Sequence, residues 1–203
     1  PNRMDVRTTA GGVELIDDCY NANPKSMAAA LDTLAALPAR RRTAFVGVMA
    51  ELKDPDISHR LIAAMARQLD ITVEGPLDPS NPRIVGLVGS LAEPLSPRDF
   101  ARRVQDVMGR EPLLIEGEAM IRRIGWCTGG GQGYIDQAIA AGVDLYLTGE
   151  ASEQTVHSAR ENGISFIAAG HHATERYGVQ ALGDYLARRF ALEHLFIDCP
   201  NPV

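Results

Sequence analysis

The chain has 203 residues, 45% of them apolar and only 5% aromatic, with 20 basic and 26 acidic side chains for a net charge of −6. An acidic surface argues against nucleic acid or an anionic membrane as the main partner, and no run of about 18 apolar residues is present to span a bilayer. Three scattered cysteines, Cys19, Cys127 and Cys199, exclude a secreted disulfide framework and a CxxC zinc site. Each ends an apolar run and is expected to be a small buried hydrophobe in reducing cytoplasm. The start, Pro1-Asn2-Arg3-Met4, has neither an initiator Met nor an apolar leader and reads as a fragment.

In chain order, Arg3–Thr9 and Val13–Asp17 read as strands joined by the turn Ala10-Gly11-Gly12, a hairpin-like start. Residues 26–37 have apolar side chains at helical spacing, entered by Asn23-Pro24 and stopped by Pro38. A buried strand is expected at Thr43–Met49 and an amphipathic helix at Ser58–Leu69. Residues 75–82, GPLDPSNP, are the strongest boundary signal, dividing the chain into segments 1–74 and 75–203. Arg83–Leu91 then reads as a strand, Pro97–Met108 as a helix with Pro in its first turn, and Pro112–Glu116 as a short strand. Strands at 122–127, 144–148, 165–169 and 194–198 alternate with helices near 132–141, 152–162 and 173–190. That rhythm predicts an α/β fold: a mostly parallel sheet with helices on both faces.

Ligands of open parallel sheets bind beyond the carboxyl ends of the strands, and three successive loops there carry unusual residues. The run Thr128-Gly129-Gly130-Gly131-Gln132-Gly133 can turn backbone N–H groups toward an anion, or can simply make a tight turn. Thr148-Gly149-Glu150 supplies a carboxylate, as a candidate base or as a helix N-terminal stabiliser alongside Glu153 and His157. In Gly170-His171-His172-Ala173-Thr174-Glu175, His171 and Glu175 stand four apart on one helix face. With His172 they are candidate ligands for zinc, iron or manganese, although a working site wants three or more protein ligands. His59 and His194 are isolated and read as structural or exposed. The segment Asp17-Asp18-Cys19-Tyr20-Asn21-Ala22-Asn23-Pro24 is either a capping turn or a nucleotide-facing loop.

Two resemblances follow from these strings. Asn2-Arg3-Met4, the segment DDCYNANP from Asp17 to Pro24, Ser26-Met27 and Val46–Leu52 resemble the C-terminal domain of a MurF-type Mur ligase, which uses ATP. This resemblance implies that Arg3, Asp17, Tyr20, Asn21 and Asn23 descend from a nucleotide- and substrate-facing surface, although the phosphate-binding GKT loop of that family is absent. Residues from about 70 onward look like the C-terminal part of the NIF-three-like family, also known as type 2 GTP cyclohydrolase I homologues. The matching strings are WCTGGGQ from Trp126, TGE from Thr148, SEQTVHSAR from Ser152, AGHHATER from Ala169 and FIDCPNP from Phe196. This second resemblance implies two bound metal ions, with His171 and Glu175 as the C-terminal ligands and the remaining ligands in an N-terminal half.

The resulting expectation is an engineered chimera joined between residues 64 and 75, an α/β scaffold with no intact native activity and at most half of a dinuclear metal site. The confinement of both lysines, Lys25 and Lys53, to the first third fits two parents. One alternative is a residual metal-dependent hydrolase of the NIF-three-like family, with Glu150 assisting as base. The other is a weak ATP-binding module. A cytoplasmic location, no nucleic-acid or membrane partner, and a homo-oligomer left open complete the reading.

Overall fold

The computed structural model describes residues 5–17, 24–38, 41–44, 55–81, 83–199 and 201. The chain forms two compact units, Pro1–Lys53 and Asp54–Val203.

In the first unit, β1 (Asp5–Thr8) pairs antiparallel with β2 (Glu14–Asp17). Thr9 N donates to Val13 O at 2.8 Å and Gly12 N to Thr9 O at 2.9 Å, closing the expected turn. Gly12 takes φ +75°, where a side chain would be strained. Helix α1 (Pro24–Ala36) follows. Residues 41–44 form no strand, and the remainder of the strand expected at Thr43–Met49 lies outside the described residues.

The second unit runs α2 (Pro55–Gln68), β3 (Thr72–Pro76), β4 (Leu87–Leu95), α3 (Pro97–Met108), β5 (Leu113–Ile115) and β6 (Ile121–Trp126). A single 3₁₀ turn (Gln132–Tyr134) leads into α4 (Ile135–Ala140), then β7 (Leu145–Thr148), α5 (Glu153–Glu161), β8 (Ser165–Ala168) and α6 (His171–Phe190). Its six strands are ordered β3-β4-β6-β7-β8-β5. The α/β fold is as expected, but the sheet is mixed. Only β6-β7 and β7-β8 are parallel, while β3-β4, β4-β6 and β5-β8 are antiparallel.

Period-2 alternation builds a core on each face of this sheet. Leu87, Ile124, Trp126, Leu145, Leu147 and Ile167 point to one side, where α2, α3 and α6 cover them. Val88, Cys127, Tyr146 and Phe166 point to the other, beneath α4 and α5. All four residues of β7 are buried, which fits a strand covered on both faces.

Helix α2 belongs wholly to this second unit. Met65, Ala66 and Leu69 are fully buried among Phe100, Val104 and Trp126, and the Trp126 indole N–H donates to Ile62 O at 3.2 Å. Burial of each of Met65 and Leu69 contributes about 1.5–3 kcal/mol. The expected division at 74/75 falls inside β3, because β3 is hydrogen-bonded to β4; the units divide at Lys53/Asp54 instead. The strand expected at 194–198 does not form. Its segment is tied back by His194 Nδ1 to Asp184 Oδ1 at 2.8 Å and by Arg176 to Asp198 at 3.2 Å.

Candidate functional site

Because β6, β7 and β8 are parallel neighbours, their carboxyl ends open on one edge and bring the three loops together. Two buried threonines bind the loops to each other. Thr148 Oγ1 donates to Gly129 O and accepts from Gly131 N, both at 3.1 Å. Thr174 Oγ1 accepts from Gly129 N at 2.9 Å. The Tyr146 hydroxyl donates to Gly131 O at 2.7 Å, and Gly149 N donates to Gly129 O at 2.9 Å. Gly170 N in turn donates to Gly149 O at 2.9 Å.

This network bears on the reading of Gly129, Gly130 and Gly131 as an anion loop. The amides of Gly129 and Gly131 are spent on Thr174 and Thr148, so they do not face a ligand. The glycines serve packing. Gly129 sits at φ +66°, and a Cβ there would run into the Glu175 carboxylate.

Helix α6 begins at His171, so His171 and Glu175 lie on one face of its first two turns. His171 Nε2 is 3.4 Å from Glu175 Oε1, and His171 Nδ1 is 2.5 Å from Glu150 Oε1. Gln132 Nε2 donates to the other Glu150 oxygen at 3.2 Å. The hydrogen bond to Glu150, followed by the charges of Glu175 and Glu150, raises the His171 pKa against a partial burial that lowers it. The same bond, helped by His171's charge and by Gln132, lowers that of Glu150. Burial, together with the Glu175 charge, pushes the Cys127 thiol up to about 12, which removes it as a nucleophile.

The other candidates lie apart from this cluster. His172 has a buried Nε2 with no hydrogen-bond partner, 4.0 Å from Asp198. Glu153 sits in the first turn of α5, whose N-terminus is capped by a reciprocal Ser152–Thr155 pair. Arg3, Tyr20, Asn21 and Asn23 lie outside the described residues, and Asp17 ends β2. The sequence reading missed Thr148, Thr174, Tyr146 and Gln132. A threonine beside glycine at a strand end was the available signal for the first.

The donor set is right in kind for zinc, iron or manganese and short in number. His171 Nε2 and Glu175 Oε1 face each other, while Glu150 occupies the opposite edge of the ring. Among the described residues, no group of three His, Cys, Asp or Glu side chains is placed to hold one ion.

An α/β protein with a histidine–carboxylate pair at the edge of its parallel strands is the class that fold and site define. The chain belongs to the Duf34/NIF3 (NGG1p interacting factor 3) family, whose model matches residues 47–202. It is 78% identical over 138 residues to a GTP cyclohydrolase 1 type 2 homolog of Pseudomonas aeruginosa, covering 68% of this chain and 55% of that protein. The corresponding Haemophilus influenzae protein is 49% identical over 142 residues, covering 69% and 56%. Among solved structures, protein ybgI, of unknown function, matches at 45% identity and TM-score 0.65, covering 70% of this chain and 57% of that one. TTHA1606 from Thermus thermophilus matches at 26% identity and TM-score 0.61, covering 75% and 61%. The chain thus spans little more than half the length of the curated relatives it matches.

These matches overturn the expectation of an engineered chimera. The family match starts at residue 47, upstream of the seam expected at 64–75, and the relatives are natural bacterial proteins. Nothing in them supports a Mur ligase segment. Across that interval the packing is continuous: α2 fills the same core as α3, α6 and Trp126.

Proposed function

We propose that the chain is the part of a NIF3-family metal-dependent hydrolase that carries one side of its metal site. The observation that supports this most is His171 Nε2 facing Glu175 Oε1 at 3.4 Å, at the carboxyl edge of three parallel strands. His171 and Glu175 would hold a divalent ion such as zinc, manganese or iron, and the ion would supply Lewis acidity and an acidified bound water. The chain's own residues hold this pair in place. Thr174 and Thr148 bind the glycine loop against α6, and the packed loop leaves room for the Glu175 carboxylate only because residue 129 has no side chain. The relatives' printed name makes GTP the first substrate to test. A reducing, cytoplasmic setting belongs to the proposal, supported by Cys127 and Cys199 both being free thiols.

Zinc titration of the dialysed protein, monitored by calorimetry, tests the reading. Binding by the wild type that is lost in His171→Ala and in Glu175→Ala supports it. Wild-type heats no larger than those of the two variants would remove it. Metal-dependent turnover of GTP, followed by the purine ultraviolet spectrum, tests the substrate separately.

A further inference from the structure

Both oxygens of Glu150 are engaged. Oε1 lies 2.5 Å from His171 Nδ1, and Oε2 accepts from Gln132 Nε2 at 3.2 Å. An ionised carboxylate can only accept hydrogen bonds, and both contacts reach Glu150 from a nitrogen. The proton in this contact therefore sits on Nδ1. The opposite nitrogen, Nε2, is 3.4 Å from Glu175 Oε1, beyond the roughly 2.7–3.2 Å of an ordinary N–H···O bond. A neutral imidazole carries a single N–H. With that proton held at Nδ1, Nε2 presents a lone pair.

We propose that Glu150 is a positioning residue that selects the Nδ1–H tautomer and the ring orientation of His171, so that Nε2 faces Glu175 as an acceptor for a divalent cation. The ligand in this statement rests on the metal-site reading above, whereas the tautomer is a property of the metal-free chain. Two observations lift the contact above a chance surface pair. Glu150 is gripped from its far oxygen by Gln132. Its loop is also fastened to the start of α6, because Gly149 O accepts from Gly170 N at 2.9 Å, one residue before His171. With both oxygens occupied, Glu150 is placed to orient the ring. Outer carboxylates of this kind set which ring nitrogen a metal meets.

The test uses metal-free, ¹⁵N-labelled protein at an alkaline pH at which the ring is neutral. Long-range ¹H–¹⁵N spectra identify which His171 nitrogen carries the proton. The wild type is expected to show Nδ1–H. In Glu150→Gln the side-chain amide can donate to Nδ1, and the ring is expected to move to Nε2–H. Glu150→Asp keeps the charge and is expected to restore part of the Nδ1–H population. Zinc affinity, measured by competition with a chromogenic chelator, should fall about 10–100-fold in Glu150→Gln. Unchanged amide dispersion elsewhere confirms that each variant folds. An Nε2–H tautomer in the wild type, or Nδ1–H retained in Glu150→Gln, overturns the proposal, as does a switched tautomer with full zinc affinity. A tautomer switch in Glu150→Gln, alongside a wild type that keeps Nδ1–H but binds no zinc, would sink the metal-site reading and leave the tautomer selection supported.

Discussion

Thr174→Val isolates the hydrogen bond that fastens the glycine loop to α6. Thr174 is completely buried, and its Oγ1 accepts from Gly129 N at 2.9 Å while lying 3.0 Å from Gly170 O and from His171 O. Valine has the same branched shape and nearly the same helix propensity, so packing and helix formation are almost unchanged. Gly170 O keeps a partner, since the Thr174 amide also donates to it at 3.1 Å. The net perturbation is one buried N–H, that of Gly129, left without an acceptor, which costs about 1–3 kcal/mol. Thr174→Ser keeps the acceptor and loses a methyl, worth about 0.8 kcal/mol. Urea unfolding read by Trp126, the chain's single and fully buried tryptophan, measures both variants. The valine variant should show the lower midpoint, with the slope unchanged. Valine as stable as wild type, or more stable than serine, would refute the assignment of Thr174 as the acceptor that holds the loop.

Leu69→Ala should lower the unfolding free energy of the Trp126 transition by about 2–5 kcal/mol, because Leu69 is fully buried in that core; a loss under about 1 kcal/mol would detach α2 from it. The Glu150–His171 pair sets a pH window. Glu150's lowered pKa gives stability that is present above its ordinary value near 4.3 and lost as pH falls through the folded value. His171's raised pKa gives stability that is present below about 6.5 and lost as pH rises through the folded value. Stability relative to Glu150→Gln should therefore be greatest between those two ordinary values; a difference that keeps growing above neutrality would contradict the pairing. In native protein at pH 8, site-resolved mass spectrometry should find iodoacetamide on exposed Cys199 and none on Cys127, whose buried thiol is held up at about 12. Equal labelling of the two would contradict the burial.

Helix α3 was legible to the residue, and its reasons are local. Ser96 caps it by accepting from Asp99 N at 3.1 Å, Pro97 starts it, and Gly109 at φ +72° stops it. Strand direction was not legible, because alternation reports which side chains are buried and not which neighbour pairs. Hence the antiparallel β4-β6 ladder came as a correction to a mostly parallel sheet. The apolar alternation at 194–198 suggested a strand, yet Leu195 and Ile197 are exposed and the segment is held by side-chain pairs instead. The three site loops could be read because glycine, histidine and carboxylate stand out at strand ends. Of the threonines that lock them, Thr148 was marked only by the glycine beside it, and Thr174 reads as an ordinary helix residue. The apolar stripe of α2 announced that something covers it without saying what, which left room for the mistaken seam.

The two outer strands of the six-stranded sheet bear on whether a further strand can add at its edges. An open edge of unpaired N–H and C=O groups invites another chain to add a strand. β3 ends in Pro76, carries the charged Glu74 and breaks register between Val73 and Gly75, while β5 offers only three residues. Proline, charge, irregularity and brevity are the common means of making an edge a poor template. The parallel strands that shape the site are thus shielded laterally by two strands unsuited to recruiting further ones.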